Sequence, residues 1–139
     1  MLAESKICPY LFVYGTLRPA ANSEWSRFLA TVSDPMGAAR TRGMLFRIAH
    51  YPGLVPSDGD DWVIGDVCCL HDPAALLPKL DAYEGCGPDD RPPHEYRREL
   101  VETLLDTGES LQAWAYVYCA NTAGKTSIQS GDWISADPR

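Results

Sequence analysis

Hydrophobic and polar positions along the chain follow two spacings, one typical of strands and the other of helices. Five consecutive apolar or aromatic residues at 10–14 run into Gly15 and Thr16, which predicts a strand buried on both faces. Further strands are predicted at 40–48, 62–70, 95–105 and 111–118, with an extended segment at 51–56. Two of these strands carry an internal glycine, Gly43 in one and Gly65 in the other. Such glycines indicate a curved sheet, as in a small closed or half-closed barrel.

Helical spacing occurs in two places. Apolar residues at 25, 28, 29 and 32, after a capping pair at 22–23, predict a short helix that stops at 33–35. A second helix is predicted over 73–84, with Asp72 as its N-cap, Pro73 at its first position and Gly85 as its left-handed stop. The 139 residues fit one domain spanning 1–139, since no linker or repeat divides them.

The second helix carries a carboxylate on its apolar face. Glu84 follows Leu77 and Leu80 at helical spacing, so it falls within the stripe that these leucines form. Burial and the negative end of the helix dipole both disfavour the anion, and both raise a carboxyl pKa towards the range of a general base. The alternative is that the helix ends at Ala82 and Glu84 swings into solvent.

The turn after the first strand has two interpretations. Gly15 lets the backbone turn sharply just before a helix, so free N–H groups at 14–17 could hold an anion or a polarised carbonyl. Alternatively, Gly15 and Thr16 only connect a strand to a helix, because single glycine turns are common.

Composition narrows the classes of function. A formal net charge of -7 argues against nucleic acid as the main partner. Five cysteines without a Cys-x-x-Cys pair fit reduced thiols in a cytoplasmic protein better than a disulfide framework or a zinc site. Residues 1–9 lack the pattern of a signal peptide, and no segment has the length needed to span a membrane.

The stretch Phe12-Val13-Tyr14-Gly15-Thr16-Leu17-Arg18 closely resembles the N-terminal signature of the γ-glutamylcyclotransferase-like family. That family includes γ-glutamylamine cyclotransferases and the cyclotransferase of butirosin biosynthesis. Leu80-Asp81-Ala82-Tyr83-Glu84-Gly85 resembles the family's helix end, which carries its catalytic glutamate. Tyr96-Arg97-Arg98 resembles its Tyr-x-Arg strand, and Gly65-Asp66-Val67 resembles its Gly-Glu-Val strand. Ala115-Tyr116-Val117-Tyr118 resembles its late strand. The resemblance implies an α+β fold, a small mixed β-barrel with a few flanking helices.

The same resemblance implies a chemistry. The expected enzyme, a transferase or lyase, cyclises a γ-glutamyl amide to 5-oxoproline and releases the amine. Glu84 is then the catalytic group, which removes a proton from the substrate ammonium and returns it to the departing amine. Backbone N–H groups of Gly15, Thr16 and Leu17 are expected to bind the substrate carboxylate or the developing oxyanion.

The resemblance also suggests further substrate-binding residues. Tyr14 and Tyr118 are expected to wall the pocket and offer hydroxyls. Arg97 is expected to hold Glu84 or a substrate carboxylate, or to brace the barrel. The chemistry requires no metal and no cofactor, and its partner is a small-molecule γ-glutamyl substrate rather than nucleic acid or a membrane. A monomer or weak dimer in the cytoplasm is expected.

Two other functions fit parts of the sequence. A relative that has lost catalysis would keep the pocket as a binding site for a small ligand. A thiol enzyme would use Cys86 with His94, which flank the same proline-rich loop. His50 and His71 lack partners at metal-ligand spacing, so both are interpreted as structural.

Overall fold

Seven strands and two α-helices make up the computed structural model, which describes residues 7–134. The strands are β1 (Tyr10–Val13), β2 (Ser33–Arg47), β3 (Pro52–Pro56), β4 (Trp62–Leu70), β5 (Tyr96–Leu105), β6 (Ser110–Tyr118) and β7 (Thr126–Ser127). The helices are α1 (Glu24–Thr31) and α2 (Pro73–Tyr83), and a short 3₁₀ helix covers Pro19–Ala21. Within the described residues, no helix combines the length and apolar character needed to cross a bilayer.

Five strands close into a mixed barrel in the order β1-β4-β2-β3-β6, and β6 returns to β1. The pairs β1–β4, β4–β2 and β2–β3 are antiparallel. Strand β6 runs parallel to both of its barrel neighbours, with Trp114 opposite Leu11 and Val117 opposite Leu54. Strand β5 forms a hairpin with β6 and also pairs with β2, and β7 pairs with β2. The predicted mixed barrel with flanking helices is confirmed.

The core lies on both sides of this sheet. One cluster fills the barrel interior, where Phe12 and Tyr14 of the β1 end meet small β6 residues such as Ala113 and Ala115. The other cluster lies between the sheet and the helices and contains Leu11, Val13, Leu76, Leu77, Leu80, Tyr96, Tyr116 and Tyr118. Strand β1 is therefore buried on both faces, as its unbroken apolar run predicts.

Two glycines allow the backbones to approach within the barrel. A Cβ on Gly65 would clash with the carbonyl oxygen of Val13 and with the Phe12 ring. A Cβ on Gly43 would lie 2.7 Å from the Val55 carbonyl oxygen. These contacts explain why the predicted strands carry glycine at their centres.

The sequence pattern fixes some boundaries better than others. The predicted bounds of β4 agree with the structure, and α2 begins at Pro73 with Glu84 as its C-cap. Strand β2, however, begins at Ser33 and not at 40, and its register shifts between Pro35 and Gly37. The added residues at 33–39 show no regular alternation of apolar and polar side chains, so their extended conformation comes from pairing with β4.

Candidate active site

A cavity of about 370 Å³ lies beside the end of β1. Its walls come from the turn after β1, the β2–β3 connection, the end of α2, the start of β5 and the outer face of β6. The lining residues are Phe12, Val13, Tyr14, Gly15, Thr16, Leu17, His50, Tyr51, Pro52, Tyr83, Glu84, Glu95, Tyr96 and Tyr116. Segments that are distant in the sequence therefore meet at this one site.

Glu84 enters the cavity from the end of α2. Its backbone N–H donates to the Leu80 carbonyl oxygen at 2.9 Å, which keeps the residue within the last turn of the helix. Gly85 then adopts a φ of 75°, and its N–H donates to the Ala82 carbonyl oxygen at 3.1 Å. The helix therefore holds the Glu84 side chain on the apolar face, and the alternative in which it swings into solvent does not describe the structure.

Burial dominates the electrostatics of Glu84. Removal of the carboxyl group from water raises the pKa of Glu84 to about 7. Within residues 7–134, no backbone or side-chain donor forms a hydrogen bond with this carboxylate. The group can therefore both accept and give a proton near neutral pH.

The turn after β1 presents backbone donors to the same cavity. The Arg18 N–H donates to the Gly15 carbonyl oxygen at 3.0 Å, which closes the turn. In the part of the chain that the structure describes, the N–H groups of Gly15, Thr16 and Leu17 have no protein acceptor. Successive N–H groups of this kind bind carboxylates and oxyanions.

Neighbouring residues fix the position of this turn. Gly15 lies against a proline, and a Cβ on it would stand 2.9 Å from Cγ of Pro52. The hydroxyl of Ser23 donates to the Thr16 carbonyl oxygen at 2.5 Å, and the same hydroxyl caps α1 by accepting from the Ser26 N–H at 3.0 Å. The turn is therefore braced by β3 on one side and by α1 on the other.

Two of the tyrosines at the cavity, Tyr14 and Tyr96, bond to the backbone through their hydroxyls. Tyr14 donates to the Tyr116 carbonyl oxygen at 2.6 Å and accepts from the Leu54 N–H at 3.1 Å. Tyr96 donates to the Pro52 carbonyl oxygen at 2.5 Å. The rings of Tyr14 and Tyr96 thus wall the cavity, while their hydroxyls hold β3 in place.

Two of the predicted site residues do not line the cavity. The Arg97 side chain is 63% exposed and is bonded to Glu99. Tyr118 is buried against Tyr96, with ring centroids 5.5 Å apart, and is separate from the lining. Strand alternation explains the placement of Arg97, because the side chain of the next residue, Arg98, projects from the opposite face.

Sequence reasoning missed the wall formed by the β2–β3 connection and the start of β5. The Tyr51 hydroxyl donates to Glu95 Oε1 at 2.8 Å. The His50 ring packs edge-on against the Tyr51 ring, with centroids 5.1 Å apart. Only the extended segment at 51–56 hinted at this wall, because polar side chains at loop ends carry no periodic signal.

Comparison with known proteins identifies the family. The family model described as gamma-glutamyl cyclotransferase, AIG2-like, matches residues 11–135. The γ-glutamylcyclotransferase family protein YtfP of Escherichia coli is 34% identical over 128 residues, which cover 91% of this chain and 97% of that protein. The chain belongs to the γ-glutamylcyclotransferase family.

Solved structures of similar fold agree with this placement. YkqA from Bacillus subtilis superposes with a TM-score of 0.67 at 29% identity, over 90% of this chain and 39% of that protein. The aig2-like protein from Mus musculus has a TM-score of 0.65 at 20% identity, over 93% of this chain and 84% of that one. The mouse likeness shows the fold alone.

The segment that resembles the family's Tyr-x-Arg strand contributes a clamp that sequence reasoning also missed. Arg98 donates through Nε to Asp81 Oδ1 at 2.8 Å and through Nη2 to Oδ2 at 3.2 Å. The Tyr116 hydroxyl donates to the same Oδ1 at 2.7 Å. The Arg98 guanidinium also lies 4.3 Å from the centre of the Trp114 ring. This clamp ties α2, one turn before Glu84, to β5 and β6.

The geometry gives no support to a thiol nucleophile in this family member. Burial, with the negative charges of Asp81 and Glu84, raises the pKa of Cys86 to about 11, so the thiolate is disfavoured. The His94 ring interacts through Nε2 with the Asp90 carbonyl oxygen at 3.1 Å. Neither Cys86 nor His94 lines the cavity.

Proposed function

We propose that this protein is a γ-glutamylcyclotransferase that converts a γ-glutamyl amide into 5-oxoproline and a free amine. The observation that carries the proposal is the Glu84 carboxylate in the cavity, which has no donor within residues 7–134 and a pKa of about 7. A general base works best when its pKa is close to the operating pH. The proposal is consistent with membership of the γ-glutamylcyclotransferase family.

The reaction needs a single proton-transfer group. Glu84 removes a proton from the substrate α-ammonium, and the freed amine attacks the γ-carbonyl carbon of the same molecule. A new C–N bond closes the five-membered lactam, and the original C–N bond of the amide breaks. The departing amine takes the first proton from Glu84, which restores the carboxylate. It also takes the second proton that the α-nitrogen loses on becoming the lactam N–H, so it leaves as an ammonium. Because nucleophile and electrophile belong to one molecule, binding in the ring-closing conformation supplies much of the rate acceleration.

Backbone donors complete the proposed mechanism. The N–H groups of Gly15, Thr16 and Leu17 face no protein acceptor in the described residues, which suits them to the substrate α-carboxylate or the oxyanion formed during attack. The turn is held by Pro52 and Ser23, so these donors are positioned before the substrate arrives. A preorganised donor costs no rearrangement during the reaction.

The test is release of 5-oxoproline from a panel of γ-glutamyl dipeptides, γ-glutamylamines and γ-glutamyl-ε-lysine. Wild-type protein is expected to release 5-oxoproline, and its kcat/KM is expected to rise as the pH passes about 7, because Glu84 must be deprotonated to act. Glu84→Gln is expected to retain the fold and lose activity by roughly 100-fold to 10,000-fold.

Glu102→Gln is the matched control, because it removes one carboxylate from an exposed position on β5 that is not part of the cavity. An active Glu84→Gln protein would overturn the assignment of the base. A wild-type protein that binds 5-oxoproline but turns over no member of the panel would favour the non-catalytic ligand-binding relative.

A further inference from the structure

A second carboxylate, that of the exposed residue Glu95, lines the cavity, and the proposed mechanism does not use it. We propose that Glu95 and Tyr51 select a leaving amine that carries an additional protonated nitrogen, as in a diamine. This inference rests on the proposed function, because it assigns the part of the cavity that the glutamyl group leaves open.

Different walls of the cavity face the two ends of the substrate, the glutamyl group and the leaving amine. Glu84 and the turn at Gly15–Leu17 take the glutamyl ammonium and carboxylate in the proposed mechanism. A further polar wall comes from the β2–β3 connection and the first residue before β5, which contribute His50, Tyr51 and Glu95. The leaving amine therefore extends towards Tyr51 and Glu95.

The Glu95 carboxylate accepts one hydrogen bond within the protein and keeps one oxygen available for a ligand. Tyr51 donates to Oε1 at 2.8 Å, and no other described group forms a hydrogen bond with the Glu95 side chain. Burial and the neighbouring Glu95 raise the pKa of Tyr51 to about 12, so the phenol remains a donor at neutral pH. Oε2 is therefore free to accept from an ammonium group.

The charged residues that line the cavity also favour a cationic leaving amine. Among the described residues that line it, two are carboxylates and none is lysine or arginine. An amino acid as the leaving group would bring its own carboxylate towards Glu95, where the described lining offers no lysine or arginine to receive it. A leaving group with a second ammonium instead supplies the charge that this wall lacks.

Three γ-glutamyl amides of similar length separate these possibilities. The γ-glutamyl derivative of putrescine ends in an ammonium, that of n-pentylamine ends in a methyl group, and that of γ-aminobutyrate ends in a carboxylate. Calorimetric titration with the Glu84→Gln protein measures the affinity of each intact compound without turnover. The putrescine derivative is expected to bind about fivefold more tightly than the pentylamine derivative at low ionic strength, and the γ-aminobutyrate derivative most weakly.

A second substitution in this Glu84→Gln background assigns the effect to one residue. Adding Glu95→Gln is expected to bring the three affinities together, because the amide retains an acceptor for Tyr51 but loses the charge. Adding Glu102→Gln removes a carboxylate outside the cavity and is expected to leave the order unchanged. Far-ultraviolet circular dichroism checks that each variant is folded.

The outcomes separate this inference from the proposed function. Equal affinities for the three compounds, no binding of any of them, or a preference that survives Glu95→Gln would each overturn the inference. A cationic preference in binding, combined with no 5-oxoproline release by the wild type, would support the inference about the cavity and overturn only the proposed reaction.

Discussion

At the scale of single residues, one side chain combines a structural cost with the catalytic role proposed for it. Glu84 is mostly shielded from water at the end of α2, and no described donor offsets the loss of hydration. Helical spacing after Leu77 and Leu80 predicted this carboxylate on the apolar face, but it left open a helix that ends at Ala82 with Glu84 in solvent. The absence of a partner could not be predicted, because it depends on which strands and loops surround the helix end.

This cost leads to a prediction about stability. The folded-state pKa of Glu84, about 7, lies above its ordinary value of 4.5, so the folded protein holds the proton more tightly than the unfolded chain. Stability is therefore lost as the pH rises from the lower value to the higher one. Glu84→Gln mimics the protonated form, and above about pH 8 it should be more stable than wild type by about 3 kcal/mol.

Urea denaturation at about pH 8 and at about pH 4 measures this difference. The advantage of Glu84→Gln should disappear at the lower pH, where wild-type Glu84 is protonated in both states. Glu102→Gln, at an exposed position, should show no comparable gain. Equal stability of wild type and Glu84→Gln at the higher pH would mean that the carboxylate is well solvated.

At the scale of elements, α2 matters because it carries Glu84 to the cavity. Its start was predictable from Asp72, whose side chain accepts from the Ala75 N–H, and its end from Gly85. The direction in which the helix docks is set by Asp81, which binds Arg98 and Tyr116 on two strands. Pairing of this kind joins residues that are distant in sequence, so the helical pattern alone does not reveal it.

Removal of this clamp should loosen α2. In Asp81→Asn the neutral amide loses the ion pair with Arg98, whose side chain is 23% exposed, while that of Asp81 is 17% exposed. We expect a loss of about 2 kcal/mol in unfolding free energy, together with a lower kcat because Glu84 is held less firmly.

Chemical denaturation and 5-oxoproline release check the two parts of this prediction. Asp89→Asn is the matched control, because it makes the same substitution at an exposed position in the loop after α2. If Asp81→Asn matched the control in both measurements, the clamp would contribute neither to stability nor to the position of Glu84.

At the scale of the whole molecule, Arg18 connects three parts of the chain. Its side chain, 10% exposed, donates through Nε to Asp66 Oδ2 and through Nη1 to Asp132 Oδ1, each at 2.8 Å. Asp66 belongs to β4 and Asp132 to the segment after β7, so the turn that lines the cavity is tied to both. The sequence suggested that Arg18 belongs to a family signature, but it gave no sign of this bridging position.

Replacement of this arginine should destabilise the entire fold. Arg18→Ala removes the cation that two partly buried carboxylates bind, and we expect a loss of about 3 kcal/mol in unfolding free energy. Arg27→Ala is the control, because Arg27 is exposed and its side chain bonds only to Asn22 among the described groups. Similar urea midpoints for the two variants would show that the bridge is dispensable.

The barrel as a whole was easier to predict than the residues that line the cavity beside it. Unbroken apolar runs and internal glycines indicated a curved sheet, and the resemblance supplied the mixed topology. The cavity walls at Tyr51 and Glu95 were not predictable, because they follow from the parallel pairing of β6 with β1 and β3. Side-chain alternation likewise could not show that Arg98, and not Arg97, faces the helix.

Closure by β6 also constrains how the protein can be made. Strand β1 lies between β4 and β6, and Tyr14 bridges the Tyr116 carbonyl oxygen and the Leu54 N–H. A growing chain on the ribosome therefore carries its first strand without one neighbour until residues 110–118 have emerged. Because β6 is not yet synthesised, β1 lacks one of the two strands that pair with it throughout this interval. Catalytic competence, if it depends on this cavity, must then appear only after synthesis of the last barrel strand.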